Sequence, residues 1–127
     1  MKGLPLALGL VLFPVAALAQ PPNKGTTYTF VDPVFASTVV CDTYFEVLAI
    51  ATADEPAKVY ESFMMRRNEQ NEPVCAAIIP TGYIVDVREL GIMLRDGKRF
   101  DAWAVETRLG DQTGFALYLE QRQDIVA

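Results

Sequence analysis

The chain has 127 residues, half of them hydrophobic, with 16 acidic side chains against 11 basic ones and no histidine. That balance argues against nucleic-acid binding, which rests on many Lys and Arg contacts to phosphates. The missing imidazole removes the commonest general base and the usual partner of a serine or cysteine nucleophile.

The first segment reads as a leader. Met1-Lys2 supplies one positive charge, residues 3–18 are apolar and uncharged, and Ala17-Leu18-Ala19 is a small-x-small cleavage site. These are the three regions of a secretory signal peptide, here residues 1–19. The stretch is short for a bilayer span, which needs about 20 apolar residues. Pro14 would leave the cleavage segment extended. No cysteine follows the site, so a lipid anchor is not expected. The mature chain then has lost Lys2 and carries −6, ten bases against sixteen acids. It is expected in the periplasm or outside the cell. No later stretch is apolar enough to span a membrane.

Residues 20–25, with Pro21-Pro22, read as a flexible arm. Residues 26–31 are Thr, Tyr, Phe and Val, a strand composition. After Asp32-Pro33, residues 34–40 offer a second extended stretch. A first helix is expected from Asp42 or Thr43 to Ala53. Thr43 with Glu46 fits a capping box, and Phe45, Leu48 and Ala49, flanked by Tyr44, Val47, Ile50 and Ala51, give a wide apolar face. Asp54-Glu55-Pro56 stops that helix and starts another, with Pro56 in the first turn. There Val59, Tyr60, Phe63 and Met64 recur at helical spacing, and Pro73 ends the polar exit over 68–72.

From Val74 the period changes. Residues 74–79 form a short apolar run, Pro80-Thr81-Gly82 a turn, and residues 83–88 alternate as a strand. Asp96-Gly97 marks a hairpin. A three-residue loop, Arg95-Asp96-Gly97, would set Ile92 opposite Phe100 and put Leu90, Ile92 and Leu94 on one face with Phe100, Ala102 and Ala104. A two-residue loop would set Ile92 opposite Asp101. One-sided burial selects the first register. Residues 100–107 read as a central strand covered on both faces, residues 109–114 as a polar loop, and residues 115–120 as a final strand with Phe115, Leu117 and Leu119 on one face.

Cys41 and Cys75 are the only cysteines. An even count in an exported domain favours a disulfide, and two cysteines allow one pairing. The bridge would close a loop of about 35 residues, for which chain entropy gives roughly 4 kcal/mol. There is no Cys-x-x-Cys, and two thiols without histidine do not complete a zinc site. One cysteine opens the helical excursion and the other closes it, so the bridge would pin both of its ends.

Other chemistry is sparse. Ser37 and Ser62 lack a Ser-x-x-Lys or Gly-x-Ser-x-Gly setting, and residues 110–114 lack the lysine of a phosphate loop. Asp96 with Asp101, and Asp86 with Glu89, are unspecific carboxylate pairs. No run of acids fits calcium. Met64, Met65 and Met93 read as packing, with one of the helical pair in the core. Trp103, Tyr118 and Tyr28 read as core or cross-strand partners, with the lining of a binding surface as the alternative. Arg95, Lys98 and Arg99 make a basic hairpin tip, either edge protection or a partner contact.

The layout Val40-Cys41-Asp42-Thr43, a helical stretch, Pro73-Val74-Cys75-Ala76, then strands ending in Ala116-Leu117-Tyr118 resembles small exported bacterial proteins of uncharacterised function with one cysteine pair. The resemblance spans residues 34–120. It implies export, a Cys41–Cys75 bridge and no assigned activity, and it carries over no catalytic residue.

The expected fold is α+β over residues 26–120, with a tail at 121–127: a two-helix lobe packed on an antiparallel sheet of four or five strands. A small SH3-like, partly closed barrel is the alternative. The expected function is a non-enzymatic binding or accessory protein whose partner is another protein or an envelope component. It needs no cofactor, metal or catalytic residue. The alternatives are an inhibitor of a secreted enzyme, inserting hairpin 95–99, or a carboxylate-dependent extracytoplasmic hydrolase, which needs two acids in one cleft.

Overall fold

Six strands and two helices follow one another in the computed structural model, which describes residues 21–31 and 37–122. The strands are β1 (Thr27–Thr29), β2 (Thr38–Cys41), β3 (Cys75–Ile78), β4 (Thr81–Arg95), β5 (Lys98–Leu109) and β6 (Gln112–Gln121). The helices α1 (Tyr44–Thr52) and α2 (Pro56–Met65) lie between β2 and β3. All pairings are antiparallel, in the order β1-β4-β5-β6-β2-β3. The helices pack against this curved sheet, an open half-barrel and not a closed SH3-like barrel. The leader reading, residues 1–19, lies outside the described residues.

The curvature has a covalent cause. β3 ends one side of the sheet, whereas β4 lies one place from the other side. In a flat sheet four steps of about 4.8 Å would hold them about 19 Å apart. Only residues 79 and 80 join them, and that link reaches about 11 Å when fully extended. The sheet must curl. Pro80 cannot donate to a ladder, and its carbonyl accepts the Phe30 N–H at 2.9 Å. The chain therefore runs on from β3 into β4, and the turn expected at 80–82 does not form, since Thr81 and Gly82 already belong to β4.

The helices start as their capping residues direct. Thr43 is extended at the N-cap of α1. Its N–H and hydroxyl each donate to Glu46 Oε1 at 2.9 Å, and the box is reciprocal. Pro56 opens α2, where no donor is required. Of the wide apolar face expected for α1, the flanking Val47, Ile50 and Ala51 are buried, whereas Phe45 at its centre is 75% exposed. So rich an apolar helix offers several faces of similar hydropathy, and docking on the sheet selects one. In α2, Val59, Tyr60 and Phe63 pack on the core as expected. Met64 and Met65 both face outward, so neither is a core methionine.

The inner face of the sheet and the helices enclose the main core. Phe100, Ala102, Ala104, Leu117 and Leu119 meet Val47 and Ile50 there, with both cysteines. The outer face carries a second cluster of Phe30, Ile84, Val105 and Ala116. β5 is thus central and covered on both sides, as its composition indicates. Tyr28, Trp103 and Tyr118 partner one another across strands, with ring centroids 5.6 Å apart for Trp103 and Tyr118 and 6.5 Å for Tyr28 and Tyr118. Residues 21–25, read as a flexible arm, lie along β4: Pro22 is buried, and the Gly25 N–H donates to the Ile84 carbonyl at 2.9 Å. The expected loop at 109–114 shrinks to a two-residue turn, with Leu109 opposite Gln112. Gln121, read as tail, ends β6 opposite Phe100.

The β4–β5 register also differs from expectation. Ile92 lies opposite Asp101, Met93 opposite Phe100, and Arg95 opposite Lys98. The turn is therefore the two-residue one, with Asp96 at φ 53° and Gly97 at φ 76°. Two left-handed residues give the turn whose twist matches the strands. A bulge between Glu89 and Gly91 makes this possible. Its extra residue, Leu90, packs inward, and beyond it Met93 becomes the inward residue. Ile92 and Leu94 turn outward, which strict alternation does not foresee.

Candidate functional site

The disulfide forms as expected. Cys41 and Cys75 are directly opposite on β2 and β3, with Cα atoms 4.0 Å apart and a sequence separation of 34. The Asp42 N–H donates to the Val74 carbonyl at 2.9 Å, which marks the cysteines as a non-hydrogen-bonded pair, the closer kind of antiparallel neighbour. Both are buried within the main core. The bridge closes the base of the helical excursion.

That excursion fills only part of the half-barrel. At the end nearer the β4–β5 turn it leaves a cleft of about 530 Å³. The floor is the inner face of the sheet: Val39 of β2, Ala77 of β3, Leu117 of β6 and Met93 of β4. Ile50 of α1 and Pro56, Ala57 and Tyr60 of α2 make the helical wall. The opposing wall is hairpin tip Leu94-Arg95-Asp96-Gly97. Charge is confined to the rim, where Asp54 and Asp96 are exposed and Arg95 is half-buried. The sequence alone could not reveal this cleft, because its floor and walls come from six elements distant along the chain. The only legible sign was the break between helices at 54–56.

The three basic residues singled out at the hairpin tip take different positions. The Arg95 guanidinium lies 5.8 Å from the centroid of Phe100, beside the cleft. Lys98 and Arg99 are exposed. The structure brings Arg95 to the cleft wall, and the other two do not line it.

Of the candidate carboxylates, Asp86 and Asp101 each stand beside cations, and Asp96 and Glu89 are exposed. Asp86 is 3.7 Å from Lys24 and 3.4 Å from Arg88. A hydrogen bond from the Val87 N–H, helped by these two cations, holds its carboxyl below the usual range. Asp101 is 3.7 Å from Arg122. Glu89 projects from the outer face at the bulge. The other shifted group is Tyr118, whose hydroxyl is raised above the usual tyrosine range by burial and by its 3.0 Å hydrogen bond to Glu120. Among the described residues no cluster of three acids or cysteines is placed to hold a metal ion. Among them, too, no helix is long and apolar enough to cross a membrane.

Fold and cleft together define a class: a disulfide-closed α+β half-barrel with an apolar cleft between its helices and a hairpin tip. Protein-family models, curated proteins and solved structures give no match to the chain, so its function is read from this geometry.

Proposed function

We propose that this is an exported, non-enzymatic binding protein that holds an apolar group of its ligand in the cleft. The cleft itself carries the reading. Binding sites for small groups are concave hollows of about 300–1,000 Å³, mainly apolar, with a few polar groups that orient the ligand. This one has the size, an apolar floor and three charged side chains at its rim. Arg95 and the pair Asp54 and Asp96 supply both signs of charge for a polar end. The ligand is a protein segment or an envelope component that offers an apolar group. Export is supported by the leader-like residues 1–19 and by the bridge, since structural disulfides persist in oxidising compartments.

An environment-sensitive apolar dye, 8-anilinonaphthalene-1-sulfonate, tests the site with the oxidised protein. Ala57 is exposed on the helical wall, so Ala57→Trp fills the cleft without disturbing the core. Dye fluorescence should rise with wild type and fall by about tenfold with the variant, because one bulky aromatic removes most of such a contact area. Equal binding by both proteins would refute the assignment. N-terminal sequencing of secreted material tests export separately and should begin at Gln20.

A further inference from the structure

The free edge of β4 near its turn meets the requirements for pairing with another strand. β1 covers only the start of β4, pairing with Thr81, Gly82 and Tyr83, and the arm extends this cover to Ile84. Arg95 and Lys98 close a two-residue turn, and such a closing pair exchanges both main-chain hydrogen bonds. The alternation then makes Met93↔Phe100 and Gly91↔Ala102 bonded pairs as well. Ile92 and Leu94 occupy the intervening positions, so their N–H and C=O groups point away from β5 toward the open edge. Among the described residues no main-chain bond reaches these groups from that side. Their side chains are 51% and 62% exposed on the outer face. Gly91-Ile92-Met93-Leu94 carries no charge and no proline, two of the devices that keep an edge unpaired, and the β4 bulge lies before Ile92 rather than within the Ile92–Leu94 stretch.

We propose that a second copy of this chain pairs antiparallel along this edge, about a two-fold axis at Met93. The sequence is self-complementary in that register. Ile92 of one copy faces Leu94 of the other, and the converse, so the four open groups of each copy meet the four of its mate in four main-chain bonds. The two isoleucines and two leucines form one apolar strip on the outer face. Arg95 faces Gly91 of the second copy, which has no side chain to obstruct it, and no like charges stand directly opposite. A different polypeptide would have to supply the same apolar alternation, whereas a second copy already contains it. Isologous contact of this kind closes at two subunits. The paired segment is short, and interfaces under about 1,200 Å² are weak, so the dimer forms at micromolar concentration or above.

Sedimentation equilibrium of the full oxidised chain, from micromolar to near-millimolar concentration, is the first measurement. Apparent mass should rise toward twice the monomer value. Ile92→Lys and Leu94→Lys place a charge on an exposed side chain, so circular dichroism should be unchanged while association weakens by about tenfold or more. The register is tested with Ile92→Cys and Leu94→Cys under mild oxidation. Mixing the two should give a linked dimer in at least about tenfold greater yield than either alone, because residue 92 meets residue 94 and neither meets itself. A monomer throughout the concentration range overturns the proposal. So does undiminished association of both lysine variants, or self-linking of each cysteine variant as readily as in the mixture.

Discussion

Breaking the Cys41–Cys75 bridge should cost a large share of total stability. The bridge spans 34 residues of sequence. For a loop of that length the chain-entropy relation gives about 4 kcal/mol at 25 °C, with about 2–4 kcal/mol as the range commonly measured. Small domains have about 5–15 kcal/mol in all. Each of α1 and α2 has about three turns, too short to persist alone, and α2 has no fully buried residue. The lobe therefore depends on being closed at its base. The variant is Cys41→Ala with Cys75→Ala, compared with the oxidised wild type by urea unfolding. With a urea slope of about 1 kcal/mol per molar for a domain this size, the midpoint should fall by about 2–4 M. Amide exchange should show protection in α1 and α2 falling more than in β5. An unchanged midpoint, or equal loss of protection in lobe and central strand, would refute the idea that the link acts by closing the helical excursion.

Gly82→Ala should destabilise by about 1–3 kcal/mol or more by overpacking, because its Cβ would lie 2.5 Å from the Arg108 carbonyl oxygen and 2.5 Å from Thr107 Cγ2; thermal unfolding measures the loss. Thr43→Ala should cost about 1 kcal/mol through loss of the α1 cap, read by urea unfolding, with Thr43→Ser close to wild type. Tyr118 stays protonated in the fold at pH values where the unfolded chain releases its proton. The unfolded chain then binds fewer protons, so stability should fall as pH rises above about 10, the ordinary tyrosine value. Tyr118→Phe should remove this part of the alkaline slope while changing stability little at pH 7, and equal slopes from pH 9 to 11 for both proteins would contradict it.

Local chemistry was legible wherever a residue constrains its own neighbourhood. Thr43 and Glu46 form the cap, Pro56 starts the second helix, and the two cysteines have one possible partner each. Period-two patterning placed Phe100, Ala102 and Ala104 on the inner face of a central strand, because alternate residues of a strand share a face. Patterning failed where one extra residue changed the parity. The bulge at Leu90 reverses the faces of all residues up to the turn, and its one sign in the sequence is Gly91, which takes φ 103° there. The inward face of α1 was likewise undetermined, since an almost wholly apolar helix takes its orientation from the sheet on which it docks. Only the tertiary structure decided that β3 and β4 stand far apart in strand order while remaining two residues apart in chain. The curl forced by that short link leaves the end of the half-barrel open, and the cleft exists because the helical excursion is too small to fill it.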